Sequence, residues 1–126
     1  MTMRTIFFGS DHAGFSLKQT LVSLLTARGL KVEDLGPHST DSVDYPDYAH
    51  AVCKRVVEEG GLGILVCGSG LGMSMAANKT AGIRAALCLN EYLARMARRH
   101  NNANVLCLGA RVVGQDLAEA GTDAFL

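Results

Sequence analysis

Leu62-Gly63-Ile64-Leu65-Val66-Cys67-Gly68-Ser69-Gly70-Leu71-Gly72 reads as a strand, a glycine-rich turn and the start of a helix. The run up to Val66 carries no charge and fits a central parallel strand covered on both faces. The glycines at 68, 70 and 72 let the backbone turn sharply and come close to a ligand. A helix is expected to follow over residues 71–79.

The same unit repeats on either side. Ile6-Phe7-Phe8 is a short apolar strand, Gly9-Ser10-Asp11-His12-Ala13-Gly14 is its turn, and Phe15, Leu17, Leu21, Leu24 and Leu25 recur at helical spacing up to Gly29. Residues 32–35 make a weaker strand ended by Gly36-Pro37, and 39–44 form a polar loop. Pro46 opens a helix whose buried stripe is Tyr48, Ala49, Val52, Val56 and Val57. Residues 84–89 and 91–99 give a fourth strand and helix; 104–108 and 113–126 give a fifth pair, with the last helix weakened or broken at Gly121. Successive strand-helix units predict an α/β fold: a five-stranded parallel sheet with helices on both faces, joined by right-handed crossovers. The expectation is a Rossmann-like three-layer α/β/α sandwich in a single domain over residues 1–126.

Composition narrows the function. Of 126 residues 48% are apolar, enough for one core; Lys plus Arg and Asp plus Glu each number 12, so no global charge steers the chain toward nucleic acid or an anionic membrane. No apolar run approaches the roughly 18 residues of a membrane span, and no signal peptide is expected. Cysteines at 53, 67, 88 and 107 form no C-x-x-C pair, which argues against a zinc site and for reduced thiols in a cytoplasmic setting.

Cys67 closes a strand and precedes a helix, where backbone N–H groups and the helix dipole favour a thiolate that serves as base or nucleophile; the alternative is a merely buried cysteine. Gly68, Gly70 and Gly72 can aim N–H groups at an anion or a developing oxyanion. Ser69 and Ser74 add hydroxyl donors or cap the helix. The spacing is neither a dinucleotide fingerprint nor a Walker loop, so a small anionic or polyhydroxylated ligand fits better than a nucleotide.

Asp11 and His12 occupy the first strand-to-helix turn. Asp11 either caps the helix or accepts from sugar hydroxyls, while His12 donates to an anion or a ring oxygen. His100 ends a helix carrying Arg95, Arg98 and Arg99, where basic residues suit the dipole. With Asn101, Asn102 and Asn104 it also offers directional groups to a hydroxylated substrate. Arg111, after the fifth strand, is the better anion ligand. These side chains are expected to share the sheet edge on which open α/β sheets bind ligands. A thiolate beside a proton-shuttling histidine suggests proton abstraction next to a carbonyl, with the enediolate held by backbone N–H groups and no metal or redox cofactor. Aldose-ketose interconversion is such a reaction.

Gly9-Ser10-Asp11-His12-Ala13-Gly14-Phe15 with Lys18, Asp44-Tyr45-Pro46-Asp47-Tyr48-Ala49, Cys67 to Ser74 with Ala77-Asn78-Lys79, Gly82-Ile83-Arg84-Ala85-Ala86, His100 to Leu106, and Gly109 to Gly114 together resemble the ribose-5-phosphate isomerase B and galactose-6-phosphate isomerase family. The resemblance covers essentially the whole chain. It implies interconversion of ribose 5-phosphate and ribulose 5-phosphate through a cis-enediolate, without cofactor, in a homodimer or dimer of dimers with sites between subunits. By position, Cys67 moves the proton between C1 and C2, and His100 of the neighbouring subunit assists ring opening. Asp11 orients the ring oxygen or hydroxyls, Ser69 stands near the transferred proton, and Gly68 to Gly72 hold the enediolate. Tyr45 and Asn101 line the sugar site, and His12 and Arg111 bind phosphate.

Family members usually continue into a tail whose arginines reach the phosphate, whereas this sequence stops at Ala124-Phe125-Leu126. Two large apolar residues there are expected to dock against a subunit or to mark a truncation. The substrate is accordingly a phosphosugar held through His12 and Arg111, or a free aldose or ketose. A non-catalytic phosphosugar-binding protein and a structural subunit of a heteromer are the readings from other classes.

Overall fold

The structure, a computed structural model, describes residues 4–126. Its elements are β1 (Ile6–Ser10), α1 (Phe15–Ala27), β2 (Val32–Asp34), α2 (Tyr45–Glu59), β3 (Leu62–Cys67), α3 (Leu71–Ala77), β4 (Ala85–Leu87), α4 (Glu91–Arg99), β5 (Val105–Gly109) and α5 (Gln115–Phe125). The strands form one parallel sheet in the order β2-β1-β3-β5-β4.

Strand alternation divides the core into two layers. Ile6 and Phe8, Ile64 and Val66, and Leu106 and Leu108 face Leu21 and Leu25 of α1, Ala94 and Ala97 of α4, and Ala118 and Phe125 of α5. Phe7, Leu65, Cys67, Val105 and Cys107 face Ala49, Val52 and Val56 of α2 and Met73, Ala76 and Ala77 of α3. The three-layer sandwich is therefore present. Helix ends follow local chemistry. Asn90 caps α4 by accepting the Leu93 N–H at 2.9 Å, and α2 carries Pro46 in its first turn and stops at Gly60, whose φ of 74° continues no helix.

These faces determine where a ligand can bind. The chain leaves β1 for α1 on one face and the adjacent β3 for α3 on the other, so the loops diverge and leave a crevice at the carboxyl ends of the strands. Leaving β5 for α5, on the same face as α1, opens the other side of β3 in the same way.

Three expectations are corrected. The fourth strand covers Ala85–Leu87 rather than residues 84–89. It lies at the sheet edge, where the Asn78 amide takes over the ladder by accepting from Ala85 N at 2.8 Å and donating to Ala85 O at 2.9 Å. The last helix starts at Gln115 and is not broken at Gly121, which lies buried inside it. Phe125 needs no partner, because it is fully buried in the core of its own chain, while Leu126 stays 42% exposed. The Arg98 guanidinium lies 5.6 Å from the centre of its ring.

All four cysteines are free and buried. Burial pushes the Cys53 and Cys88 thiols up to about 11, and the same desolvation raises the Cys107 thiol well above its ordinary range. The unfolded chain ionises these thiols near 9, so their contribution to stability is complete below pH 9 and is lost as pH rises through about 11. Urea unfolding at pH 8, 9, 10 and 11 should show the free energy declining across that window, and a Cys53→Ala/Cys88→Ala double variant should show a shallower decline.

Candidate active site

The crevice is a cleft of about 370 Å³ lined by Asp11 from the β1 turn, Tyr45 from α2, Cys67, Gly68, Ser69 and Gly72 from the β3 turn, and Arg111 and Val112 from the β5 turn. Cys67 is the last residue of β3, and its Sγ accepts the Gly70 N–H at 3.1 Å. That bond fixes the sulfur against the glycine turn. Gly70 has φ of +82°, and a Cβ there would stand 2.4 Å from Leu87 Cδ1. At Gly109 a Cβ would stand 2.5 Å from Ser69 O, so glycine on both sides lets the turn press against the end of β5.

Arg111 is tied to the same turn. Its N–H donates to Gly68 O at 2.9 Å, and Ala110 N–H donates to Cys67 O at 2.8 Å. The guanidinium lies against Gly68, where a Cβ would meet Nη1 at 3.3 Å. The guanidinium's permanent positive charge thus lies on the cleft wall.

Asp11 does not cap α1, whose N-cap is Gly14 with no side-chain bond. Its Oδ1 accepts the Gly14 N–H at 2.8 Å and closes the turn before the helix, and the residue lines the cleft. Tyr45 packs its ring on Gly72, where a Cβ would stand 2.8 Å from Cζ. Gly72 is glycine here to seat that ring, in addition to any N–H it offers. Ser69 is exposed in the cleft wall and its Oγ accepts the Leu71 N–H at 3.1 Å.

Other expected residues lie elsewhere. Ser74 Oγ donates to Leu71 O at 2.9 Å within α3 and does not line the cleft. His12 is exposed beside Asp11, outside the cleft lining. His100 and Asn101 correct the one-edge expectation: they follow α4 and precede β5, which puts them at the amino ends of the strands. Asn104 O accepts the Gly63 N–H there, and β3 carries Cys67 about 13 Å farther at 3.3 Å per residue. Within one chain His100 does not reach the thiol. Val112, an apolar residue in the cleft wall, was missed because in sequence it reads as the approach to the last helix.

Among the described residues no group of His, Cys, Asp and Glu could hold a metal ion, and no helix is long and apolar enough to cross a membrane.

An open parallel α/β sheet with a thiol, a carboxylate and an arginine at its switch point defines the class of site. Residues 6–126 match the Ribose/Galactose Isomerase family model, and the chain belongs to that family. It is 50% identical over 126 residues to ribose-5-phosphate isomerase B of Escherichia coli, with 98% of this chain and 84% of that one covered. The ribose 5-phosphate isomerase structure from Thermotoga maritima superposes with a TM-score of 0.95 at 50% identity, covering 98% and 86% of the two chains. Ribose-5-phosphate isomerase B from Mycoplasma genitalium, solved with bound ribulose-5-phosphate, superposes with a TM-score of 0.95 at 44% identity, covering 98% and 84%.

Proposed function

We propose that the protein is a cofactor-free aldose-ketose isomerase that interconverts ribose 5-phosphate and ribulose 5-phosphate, with Cys67 as its base. The observation that carries this reading is the Cys67 Sγ held by the Gly70 N–H in a cleft shared with Asp11 and Arg111. On the opened aldose, the thiolate takes the proton from C2, and the electron pair moves to the carbonyl oxygen to give a cis-enediolate. Free N–H groups of the turn from Gly68 to Gly72 stabilise its charge. The proton on the C2 oxygen passes to the C1 oxygen, and as the C2 carbonyl forms the thiol returns its proton to C1 and leaves the ketose. Asp11 and Tyr45 orient hydroxyls, Ser69 hydrogen-bonds near the moving proton, and Arg111 takes the phosphate.

Ring opening calls for a second chain. His100 and Asn101 sit at the amino edge, so they serve a site at the carboxyl edge only across an interface in which the two sheets run oppositely, as a two-fold axis across the strands provides. The β4 edge suits such an interface. It carries a groove of about 480 Å³ that includes Leu87, Leu93 and Asn101, and Leu89 and Tyr92, each next in sequence to a lining residue, are exposed. A homodimer acting in the reducing cytoplasm completes this reading.

The test is initial-rate measurement on ribose 5-phosphate, galactose 6-phosphate and free ribose. Turnover of ribose 5-phosphate is expected, and none on any phosphosugar at high enzyme concentration would overturn the reading. An Arg111→Ala variant should raise KM for ribose 5-phosphate roughly 10- to 100-fold, the worth of a charge-assisted phosphate contact, with a smaller effect on any slow turnover of free ribose.

A further inference from the structure

Lys18 is fully buried on the opposite side of β1 from the thiol. Its Nζ donates to Asp34 Oδ1 at 2.7 Å, Asp34 Oδ2 at 3.0 Å and Pro37 O at 2.6 Å, which uses every proton the ammonium has. Asp34 Oδ1 also accepts the Gly36 N–H at 2.9 Å, and Gly36 O accepts the Ser10 N–H at 3.2 Å. One buried ion pair therefore holds the turn after β2 to the last residue of β1, immediately before Asp11. The same turn touches α2: Gly36 has φ of +102°, and a Cβ there would stand 3.2 Å from Tyr48 Cε1, one helical turn from Tyr45.

A buried charge pair is a weak source of stability, since an apolar or neutral pair of similar volume often folds as well. Holding a turn in a single position is the other task such a pair can serve. We infer that Lys18 and Asp34 are positioning residues of the reaction: by clamping the Gly36–Pro37 turn they set Asp11 and the N-terminus of α2, and with it Tyr45, against the substrate. This rests on the isomerase reading for its kinetic consequence, but the geometric consequence stands apart from it.

The test compares wild type with Lys18→Met, Asp34→Asn and the Lys18→Met/Asp34→Asn double variant. Each single variant strands one buried charge and is expected to lose stability. The double variant removes both charges, keeps an acceptor for the Gly36 N–H and leaves only Pro37 O without its donor, so it is expected to unfold nearer the wild-type midpoint than either single variant. Its kcat/KM on ribose 5-phosphate should nevertheless fall on the order of 100-fold, the usual consequence of an ångström misplacement. Alkylation of Cys67 by iodoacetamide should keep its wild-type rate and pH profile, because the β3 turn is not part of the clamp. Nuclear Overhauser contacts between the Tyr45 ring and Gly72 Hα should be present in wild type and lost in the double variant.

Wild-type kinetics with intact Tyr45–Gly72 contacts in the double variant would overturn the inference. So would an activity loss that only tracks the unfolded fraction. An inactive wild type would instead count against the isomerase reading, and the Tyr45–Gly72 contacts would still decide whether the pair positions the cleft.

Discussion

A Cys67→Ala variant folds like wild type and no longer interconverts ribose 5-phosphate and ribulose 5-phosphate. Truncation removes one sulfur from the end of β3 and leaves unpaired only the Gly70 N–H that bonded it, so the unfolding free energy should change by about 1–2 kcal/mol. The kinetic effect is far larger. Positioned general bases contribute on the order of 10²- to 10⁴-fold, and here the same group both removes and returns the proton, so kcat should fall by at least the upper figure. A Cys67→Ser variant separates geometry from acidity. Its hydroxyl still accepts from Gly70, yet an alcohol is not ionised at neutral pH, so it should be as inactive as the alanine variant while recovering most of the lost stability. Rates on ribose 5-phosphate, with circular dichroism and urea unfolding of the same samples, check both parts.

The second large effect is restoration of activity by mixing two inactive chains. If His100 serves the cleft of a partner, Cys67→Ala and His100→Ala chains fail as separate homodimers. In a mixed dimer one cleft lacks both groups and the other has Cys67 from one chain and His100 from the other. Random assortment makes about half of the dimers mixed, each with one whole site, so co-expression should recover about a quarter of wild-type activity. A His100 that acted within its own chain would give no recovery at any ratio. Tandem-tag purification of the mixed dimer, followed by the rate assay, separates these results.

The same residue shows where sequence reading stops. The alternation of Leu62–Cys67, the glycine turn and the following helix specify a buried parallel strand and a loop at its carboxyl end, and the structure has both. Cys67, Asp11 and Arg111 each follow a strand, so their common edge could be inferred from chain order. His100 follows a helix and precedes a strand, which is a signal for the opposite edge, although its imidazole and the neighbouring asparagines have the chemistry of a sugar site. Strand order was not legible, because placing β5 between β3 and β4 depends on which apolar faces pack best. Nor was the seating of Tyr45 on Gly72, a contact between the start of one helix and another helix distant in sequence. Gly121 misled for a related reason: a glycine weakens an isolated helix by about 1 kcal/mol, and packing of Ala118 and Phe125 on the core outweighs that.

The most direct test of the central claim is proton NMR of ribose 5-phosphate incubated in D₂O with the wild-type protein and with Cys67→Ala. The account predicts ribulose 5-phosphate formation together with loss of the C2 proton signal from the remaining aldose, as deuterium enters through the enediolate, in the wild-type sample alone. Exchange and product formed equally by the Cys67→Ala variant would contradict it.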